Sequence, residues 1–328
     1  MKILAINNYD LEWAYKEPGK VPMHQTWGVD YMRKLGHHVD TMTYINVGGQ
    51  FKVLKFNLSL LKIAWKYDVI ISFYSPCLYI LAYLKSFGII KARLYTFVHH
   101  HGKRLYLPKS FDGLIYLSKK IKEMDDKLYH QTNSYLIDWN PQLAFYDKTY
   151  HEMEENADLR YSKPVFISTG KSSRNHQMVV NACQKVHCKA IIFDKAITDN
   201  KFVSHEIPKG YPYMLRKMSQ CAINIVPCKE RGDNTGLCGL TSVIDGLALG
   251  MPLLMSDNTN ISFDIEEEGF GLYYKADNLE DLENKMKFMI SNPEKLKVMG
   301  QKARKFAVRH SYNEYCLKLL SIISHENK

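Results

Sequence analysis

The sequence predicts an α/β protein made of two doubly wound parallel-sheet domains. Short apolar segments alternate with helical segments, which is typical of a parallel sheet covered by helices on both faces. The alternation restarts at Pro164, and 328 residues are too many for a typical single core. We therefore predict a first domain at 1–155, a second at 156–310, and a last helix at 311–328 that packs back on the first.

The first half is predicted to contain six strands separated by helices. Helices are expected at 24–35, ending at Gly36, at 57–66 and in CLYILAYLKSFGII. The apolar content and the bounding turn residues indicate buried strands rather than helices for the remaining segments. These strands are Lys2–Asn7, HHVDTMTYI, DVIISF, ARLYTFVHH, FDGLIYLS and NSYLIDW.

The second half repeats this pattern after the polar segment 151–164, which is predicted to be a linker. A loop opening at Gly170 leads into a helix that contains Met178. The stretch GLTSVIDGLALG predicts a helix that is apolar nearly all round and ends before a short strand. The strands are PVFIS, KAIIFD, CAINIVP, PLLMSD and GLYYKA, followed by the helix NLEDLENKMKFMI and a long C-terminal helical region.

The composition favours a reduced, cytoplasmic protein with an anionic partner. The net charge of +10 suits phosphate esters, acidic lipid head groups or nucleic acid. No recognised nucleic-acid motif is present, so nucleic acid is not expected as a partner. The seven cysteines are scattered without a CxxC pair, which indicates neither a disulfide framework nor a zinc site. No apolar run is long enough for a signal peptide or a membrane span.

Three basic or glycine-rich loops each follow a predicted strand of the second half. Because carboxyl ends of parallel strands meet at one sheet edge, these loops should converge and form an anion site. One such loop alone would be an ordinary solvated turn. The candidates are Gly170, Lys171 and Arg174 in the first loop, Lys229 and Arg231 in the second, and Gly239, Thr241 and Ser242 in the third.

The third loop begins the apolar helix and offers a phosphate its backbone N–H groups. Gly239 allows close approach of a ligand, and Thr241 and Ser242 are good N-cap residues. Asp245 follows Ser242 by three positions, which leaves two interpretations. It could complete a capping box with Ser242, or it could accept hydrogen bonds from the ribose hydroxyls of a nucleotide.

Two segments of the first half are also candidates. The histidines of VHHHGKRLY, His100 and His101 among them, are neighbours in an extended segment, so their side chains point to opposite faces and a metal site is not predicted. Lys52, Lys55, Lys62 and Lys66 alternate with apolar residues. That pattern fits either an ordinary surface helix or a helix lying on an anionic membrane.

The order of the second-half segments resembles the nucleotide-sugar domain of GT-B glycosyltransferases, most closely the retaining family-4 enzymes. The matching segments are FISTGKSSRNHQMVVNAC, GLTSVIDGLALGMPLLMSD and IEEEGFGLYYKADNLEDLENKMKFMISNPEKLKVMGQKAR. The resemblance covers residues 160–315 well and the first half loosely. It implies two Rossmann-like domains facing a cleft, a first domain that binds the acceptor, and a second that binds the donor.

The implied activity is metal-independent, retaining transfer of a sugar, hexosyltransferase-like, from a UDP- or GDP-sugar to a carbohydrate or lipid-linked saccharide. This chemistry belongs to surface polysaccharide or glycan synthesis, and it needs no cofactor besides the donor substrate. Such an enzyme would be cytoplasmic, at the inner face of a membrane. The alternative is a two-domain protein that binds a nucleotide or sugar without catalysis.

The resemblance also implies roles for individual residues. Asp245 takes the place of the family's ribose-binding glutamate, and His100 or His101 would face the donor sugar. Where the family often has a second glutamate, this chain has Leu237, so Glu230 or Asp233 would have to substitute. His24 and Gln25 are candidates for contact with the acceptor. The diphosphate would be held by Lys171, Arg174 and the backbone of Gly239, Leu240, Thr241 and Ser242. Gly170 is counted with these donor-binding residues, and the predicted catalytic residues are His100, His101, Arg174 and Lys229.

Overall fold

The computed structural model describes residues 1–44, 49–101, 108–130, 132–170, 172–230 and 236–324. Its strands are β1 Lys2–Asn7, β2 His38–Thr43, β3 Val69–Ser72, β4 Arg93–Val98, β5 Gly113–Tyr116, β6 Ser134–Leu136, β7 Val165–Ser168, β8 Lys189–Ile192, β9 Val203–His205, β10 Ile223–Val226, β11 Leu253–Ser256 and β12 Gly271–Tyr274.

The helices are α1 Trp13–Lys16, α2 Val29–Lys34, α3 Gly49–Leu61, α4 Tyr79–Ser86, α5 Lys119–Tyr129, α6 Leu143–Glu155, α7 Ala157–Ser162, α8 His176–Val186, α9 Tyr211–Met218, α10 Leu240–Ala248, α11 Leu279–Ile290, α12 Pro293–Arg309 and α13 Tyr312–Ser324. Short 3-10 helices occupy Met23–Thr26, Ala64–Lys66, Ser75–Leu78 and Pro108–Ser110.

Each half of the chain builds one six-stranded sheet, and every strand pair in it is parallel. The strand order is β2-β1-β3-β4-β5-β6 in the first sheet and β12-β11-β10-β7-β8-β9 in the second. In both sheets the order reverses next to the first strand of that half, which is the arrangement of doubly wound folds. The predicted fold class is therefore confirmed.

Helices cover both faces of the second sheet, so side chains that follow each other along a strand pack into apolar clusters on opposite faces. Phe166 and Ile225 join a cluster with residues of α8 and α11. Val226, the neighbour of Ile225, joins a cluster with residues of α10 and α12 instead. Ile167 packs with residues of α6 and α9. Alternation of this kind leaves the strands apolar on both sides, as the sequence pattern predicted.

The chain divides into two compact units. The first unit contains residues 1–139, Gly236 and Leu237, and α13; the second contains the described residues of 140–230 and residues 238–311. Helix α6 belongs to the second unit because Tyr146 and Met153 are buried in its core. The division therefore falls after Trp139, earlier than the predicted boundary at residue 155.

The segment 151–164 is helical, which corrects its prediction as a linker. Helix α6 runs to Glu155 and α7 continues to Ser162. The side chain of Tyr161 is buried, and its hydroxyl hydrogen-bonds to Gly250 O at 3.4 Å. A polar sequence with one buried face forms a helix here since tertiary packing outweighs the local composition.

The predicted helix at 24–35 is broken in two. A 3-10 helix ends at Thr26, Trp27 and Gly28 both have positive φ, and α2 begins at Val29. The Gly28 N–H donates to the hydroxyl of Tyr312, 2.9 Å away on α13. That hydroxyl also donates to the buried carboxylate of Asp30. Contacts from the other end of the sequence thus fix the break.

All seven cysteines are buried, and none forms a disulfide. Among the described residues, no helix combines the length and the apolar composition that crossing a bilayer requires.

Candidate functional site

The carboxyl ends of β7 and β10 lie side by side in the second unit, and the loops after them are joined. The two strands pair in parallel, so both loops leave from the same edge of the sheet. Arg174 forms an antiparallel bridge with Cys228. The Asn175 N–H donates to Pro227 O at 2.7 Å, and the Lys229 N–H donates to Ser173 O at 2.9 Å. The first two predicted loops therefore meet.

The guanidinium of Arg174 lies where these loops reach the start of α10. Its Nη1 donates to Ser172 O at 2.8 Å and lies 3.2 Å from Cys238 Sγ and 3.6 Å from Cys228 Sγ. Its Nη2 is 3.5 Å from Ser242 Oγ. None of these partners is a carboxylate, and its buried Nε has no hydrogen-bond partner among the described residues. A cation without a counter-ion is suited to bind an anion.

Glycine at two positions lets the loops approach this guanidinium. A Cβ on Gly170 would lie 2.8 Å from Arg174 Nη2. A Cβ on Gly239 would lie 2.5 Å from Val226 Cγ1, and Gly239 has a φ of 84°. Gly239 is the N-cap of α10, and no side chain caps that end. The first N–H groups of the helix are thus available to an anion.

Thr241 and Ser242 are not N-cap residues, which corrects the prediction. They lie inside the first turn, after Leu240. The Ser242 hydroxyl donates to Thr169 O and accepts from Thr169 Oγ1, both at 3.0 Å. Ser242 therefore joins α10 to the end of β7, and the capping box with Asp245 does not form. Thr241 is exposed and Leu240 is half-buried.

Asp245 lies inside the second unit, away from solvent. Its side chain is 1% exposed, and its Oδ1 accepts a hydrogen bond from the Tyr146 hydroxyl at 2.6 Å. Burial raises the pKa of Asp245 to about 7. The helix is buried nearly all round, and this face packs against α6. In this conformation the carboxylate has a packing partner instead of access to a ribose, which favours a packing role for Asp245. The ribose interpretation stays a prediction.

A pair formed by buried His176 and half-buried Asp194, beside Arg174, was not predicted. His176 Nδ1 lies 2.8 Å from Asp194 Oδ2, and Nε2 has no partner among the described residues. Burial lowers the pKa of His176, and the charges of Arg174 and Lys229 lower it further. Lys229 is exposed, and its charge acts on this pair, so it adds positive potential near Arg174. The only sequence signal was the position of His176 directly after the basic loop.

The remaining donor-site candidates are placed differently. Lys171, Arg231 and Asp233 lie outside the described residues. Leu237 belongs to the first unit, where its N–H donates to His99 O at 2.9 Å. Glu230 is exposed, and its N–H donates to Asp277 Oδ2. Of the two predicted substitutes for the missing glutamate, Glu230 is the one that the structure describes.

The histidines of the first unit have separate environments. His100 is exposed and its backbone pairs with Gly236. His101 Nδ1 lies 2.6 Å from the buried carboxylate of Asp125, which also accepts from the Tyr116 hydroxyl. Among the residues that the structure describes, no group of three or more His, Cys, Asp and Glu side chains could hold a metal. His100 is therefore the exposed histidine of this pair, and His101 is held by a carboxylate.

His24 and Gln25 are buried, contrary to their prediction as acceptor contacts. The His24 ring lies 5.1 Å from the ring of Trp139, and burial lowers the pKa of His24 to about 3. Gln25 Oε1 accepts a hydrogen bond from the hydroxyl of Tyr9. Both residues therefore stabilise the core of the first unit, and neither presents a surface to an acceptor.

Replacing Gly239 with alanine is expected to destabilise the protein. The positive φ alone costs a non-glycine residue about 1–3 kcal/mol, and the contact with Val226 adds overpacking. Gly36→Ala is the matched control, since Gly36 has a φ of 82° and nothing lies within 4 Å of the position that its Cβ would take. Urea unfolding should show Gly239→Ala less stable than Gly36→Ala. Equal stabilities would contradict the close approach of α10 to β10.

This architecture, with two six-stranded parallel sheets in two Rossmann-like units, is the GT-B fold of glycosyltransferases. No family model matches the sequence. No curated protein matches it either.

Solved structures match over the whole chain. Sucrose-phosphate synthase from Thermosynechococcus elongatus has a TM-score of 0.76 at 14% identity, covering 99% of each chain. HepE from Anabaena, in complex with UDP, has a TM-score of 0.67 at 12% identity, covering 99% of this chain and 100% of HepE. WaaG, a glycosyltransferase of lipopolysaccharide biosynthesis, has a TM-score of 0.65 at 10% identity, covering 98% and 99%. At such identities the comparisons establish the fold.

Proposed function

We propose that the chain is a glycosyltransferase that transfers a sugar from a nucleotide diphosphate donor to a saccharide or lipid-linked acceptor. The observation that carries the proposal is the Arg174 guanidinium. It lies at the uncapped start of α10 without a counter-ion among the described residues, on the sheet edge where doubly wound folds bind ligands. The GT-B fold makes a nucleotide sugar the natural anion for this site. UDP is the first nucleotide to test because HepE was solved in complex with UDP.

The chemistry that this site supplies is stabilisation of the leaving group. In sugar transfer the bond between the anomeric carbon and the diphosphate breaks, and its electron pair stays on the diphosphate. Arg174, the first N–H groups of α10 and the nearby Lys229 would hold that charge. Retention of configuration and independence of metal belong to the same proposal, and their support is the resemblance of the sequence to family-4 enzymes.

The donor is tested by thermal shift and calorimetry with UDP, GDP, ADP and their sugars. We expect UDP to stabilise the protein, and a UDP-sugar to be hydrolysed slowly or transferred to a saccharide acceptor. Binding of UDP without turnover of any UDP-hexose would favour the alternative, a nucleotide-binding protein without catalysis. That alternative is kept because Leu237 stands where the family often has a glutamate. Failure of every nucleotide to bind would refute both.

An acceptor on a lipid would bring the first unit to a membrane, and its surface fits that role. The side chain of Trp65 is 78% exposed, and it shares a surface groove of about 1040 Å³ with Ile89 and Lys91. Leu54, Leu58, Phe87 and Ile89 are also exposed, and Lys55, Lys62 and Lys66 lie on the same segments as Leu58 and Trp65. Exposed aromatic and basic side chains together favour the surface of an anionic bilayer.

Trp65→Ala is expected to weaken binding to phosphatidylserine vesicles several-fold, because an indole ring at the head-group level contributes much of such affinity. Leu159→Ala is the control, since Leu159 is a large apolar residue that is 68% exposed and lies on α7 of the second unit. The measurement is co-sedimentation with phosphatidylserine vesicles, and phosphatidylcholine vesicles serve as the uncharged comparison. If the two variants sediment alike, the Trp65 surface is not a membrane contact.

A further inference from the structure

Two thiols flank the Arg174 guanidinium, and no part of the proposed transfer chemistry uses them. Cys238 Sγ and Cys228 Sγ lie 3.2 Å and 3.6 Å from the same nitrogen, Arg174 Nη1. The thiols also hydrogen-bond to each other. The Cys228 N–H donates to Ser256 Oγ at 2.9 Å, and the Cys238 N–H donates to Thr259 O at 3.0 Å. Both cysteines are therefore held in place beside the cation.

The two sulfurs are not equivalent. Cys238 is 9% exposed and Cys228 is 1% exposed, so a small reagent reaches Cys238 first. A guanidinium at hydrogen-bond distance stabilises a thiolate, which is the reactive form of cysteine. The hydrogen bond with Cys238 and burial raise the pKa of Cys228. Exposure and the shorter distance to Arg174 Nη1 therefore make Cys238 the sulfur that reacts first.

We propose that Cys228 and Cys238 form an oxidative modification site whose disulfide closes the anion site at Arg174. The oxidant is a peroxide. The Cys238 thiolate attacks one peroxide oxygen, the O–O bond breaks, and Cys238 becomes a sulfenic acid while hydroxide leaves. The Cys228 thiol then loses its proton and attacks the Cys238 sulfur as a thiolate. The S–O bond of the sulfenic acid breaks, and its hydroxyl group takes up that proton and leaves as water. Two electrons pass from the sulfurs to the peroxide.

The disulfide would change the surroundings of the guanidinium. Its S–S bond is about 2.05 Å long, which is shorter than any non-bonded contact between two sulfur atoms. Cys238 directly precedes Gly239, the N-cap of α10, and Cys228 pairs with Arg174 in the bridge between loops. Joining the two cysteines therefore moves both the cation and the helix start. The loss of nucleotide binding rests on the proposed function, whereas formation of the disulfide does not.

A second thiol pair in the same unit supplies a matched control. Cys183 and Cys188 also hydrogen-bond to each other, but they belong to the apolar core packed around α8 and α11. A peroxide effect that acts through Cys228 and Cys238 should persist when Cys188 is replaced by serine. An effect caused by oxidation of the core pair should disappear in that variant.

The experiment treats the reduced full-length protein with hydrogen peroxide, maps disulfide-linked peptides by mass spectrometry, and measures UDP affinity before and after. We expect a Cys228–Cys238 peptide and an affinity at least about tenfold lower, which dithiothreitol restores. In Cys238→Ser the UDP affinity should be the same before and after peroxide treatment, even if the substitution itself changes the affinity of the reduced protein. Cys188→Ser should respond like the natural sequence.

Absence of the Cys228–Cys238 peptide would overturn the proposal, and so would an oxidised protein that binds UDP as tightly as the reduced one. The mapping uses the unmodified chain, so it stands even if a serine variant does not fold. If the reduced protein binds no nucleotide, the proposed donor site is wrong. The peptide map then still decides whether the two cysteines are an oxidative modification site.

Discussion

Arg174→Ala should weaken UDP binding about 10- to 100-fold and leave the fold intact. A hydrogen bond to a charged group contributes roughly 1.5–3 kcal/mol, which corresponds to that range of affinity. The variant also removes the one guanidinium that the described loops bring to the start of α10. Stability should change little, because Arg174 forms no ion pair among the described residues and its side-chain partners are a carbonyl, two thiols and a hydroxyl.

Calorimetric titration with UDP measures this effect, and two variants make it specific. Arg216→Ala removes an exposed arginine from α9 of the same unit and should bind UDP normally. Arg174→Lys keeps the charge but loses the planar fork, so it should recover part of the affinity. Normal UDP affinity in Arg174→Ala would place the nucleotide elsewhere.

Asp245→Asn should remove a pH dependence of stability that the natural protein has. The pKa of Asp245 rises from 3.8 to about 7 on folding, because burial disfavours the carboxylate. Between these values the folded state binds more protons than the unfolded state, so stability falls as pH rises through the window. The full shift corresponds to about 4 kcal/mol. Asparagine cannot ionise and can still accept the Tyr146 hydrogen bond.

Urea unfolding at pH 4 and pH 8 tests this. The stability of the natural protein relative to Asp245→Asn should fall by up to about 4 kcal/mol from the lower to the higher pH. Asp158→Asn, whose side chain is 90% exposed, should track the natural protein at both values. UDP affinity should be unchanged in Asp245→Asn. A large loss of UDP affinity, with a stability difference that does not change with pH, would support the ribose interpretation instead.

The sequence predicted the fold well because the strands of a buried parallel sheet are nearly continuous apolar runs. Strand β1 has the predicted bounds, Lys2–Asn7, and β7 and β10 lie inside the predicted segments. The meeting of the three loops was also predictable, since strand direction alone brings them to one edge. These features depend on local patterning and on the geometry that all such sheets share.

The details that failed depend on partners distant in sequence. Asp245 is three positions from Ser242, but its hydrogen-bond partner is Tyr146 on α6, a helix that runs into the predicted linker. The break at Trp27 is fixed by Tyr312 on α13. The N-cap fell on Gly239 because α10 approaches Val226 too closely for a side chain. The N-cap preference of threonine and serine predicted Thr241 or Ser242, but the contact with Val226 places the N-cap at Gly239.

The position of α13 has a consequence for synthesis on the ribosome. The first unit is built from Met1–Trp139 and from α13, which is translated after them. The Tyr312 hydroxyl hydrogen-bonds to Gly28 and Asp30, and Leu319 lies against the position that a Cβ on Gly28 would take. The second unit lies between these parts of the chain. The nascent second unit can therefore complete its core first, although it is translated later. During that interval the emerging amino-terminal unit exposes unfilled apolar surface that chaperones would have to shield.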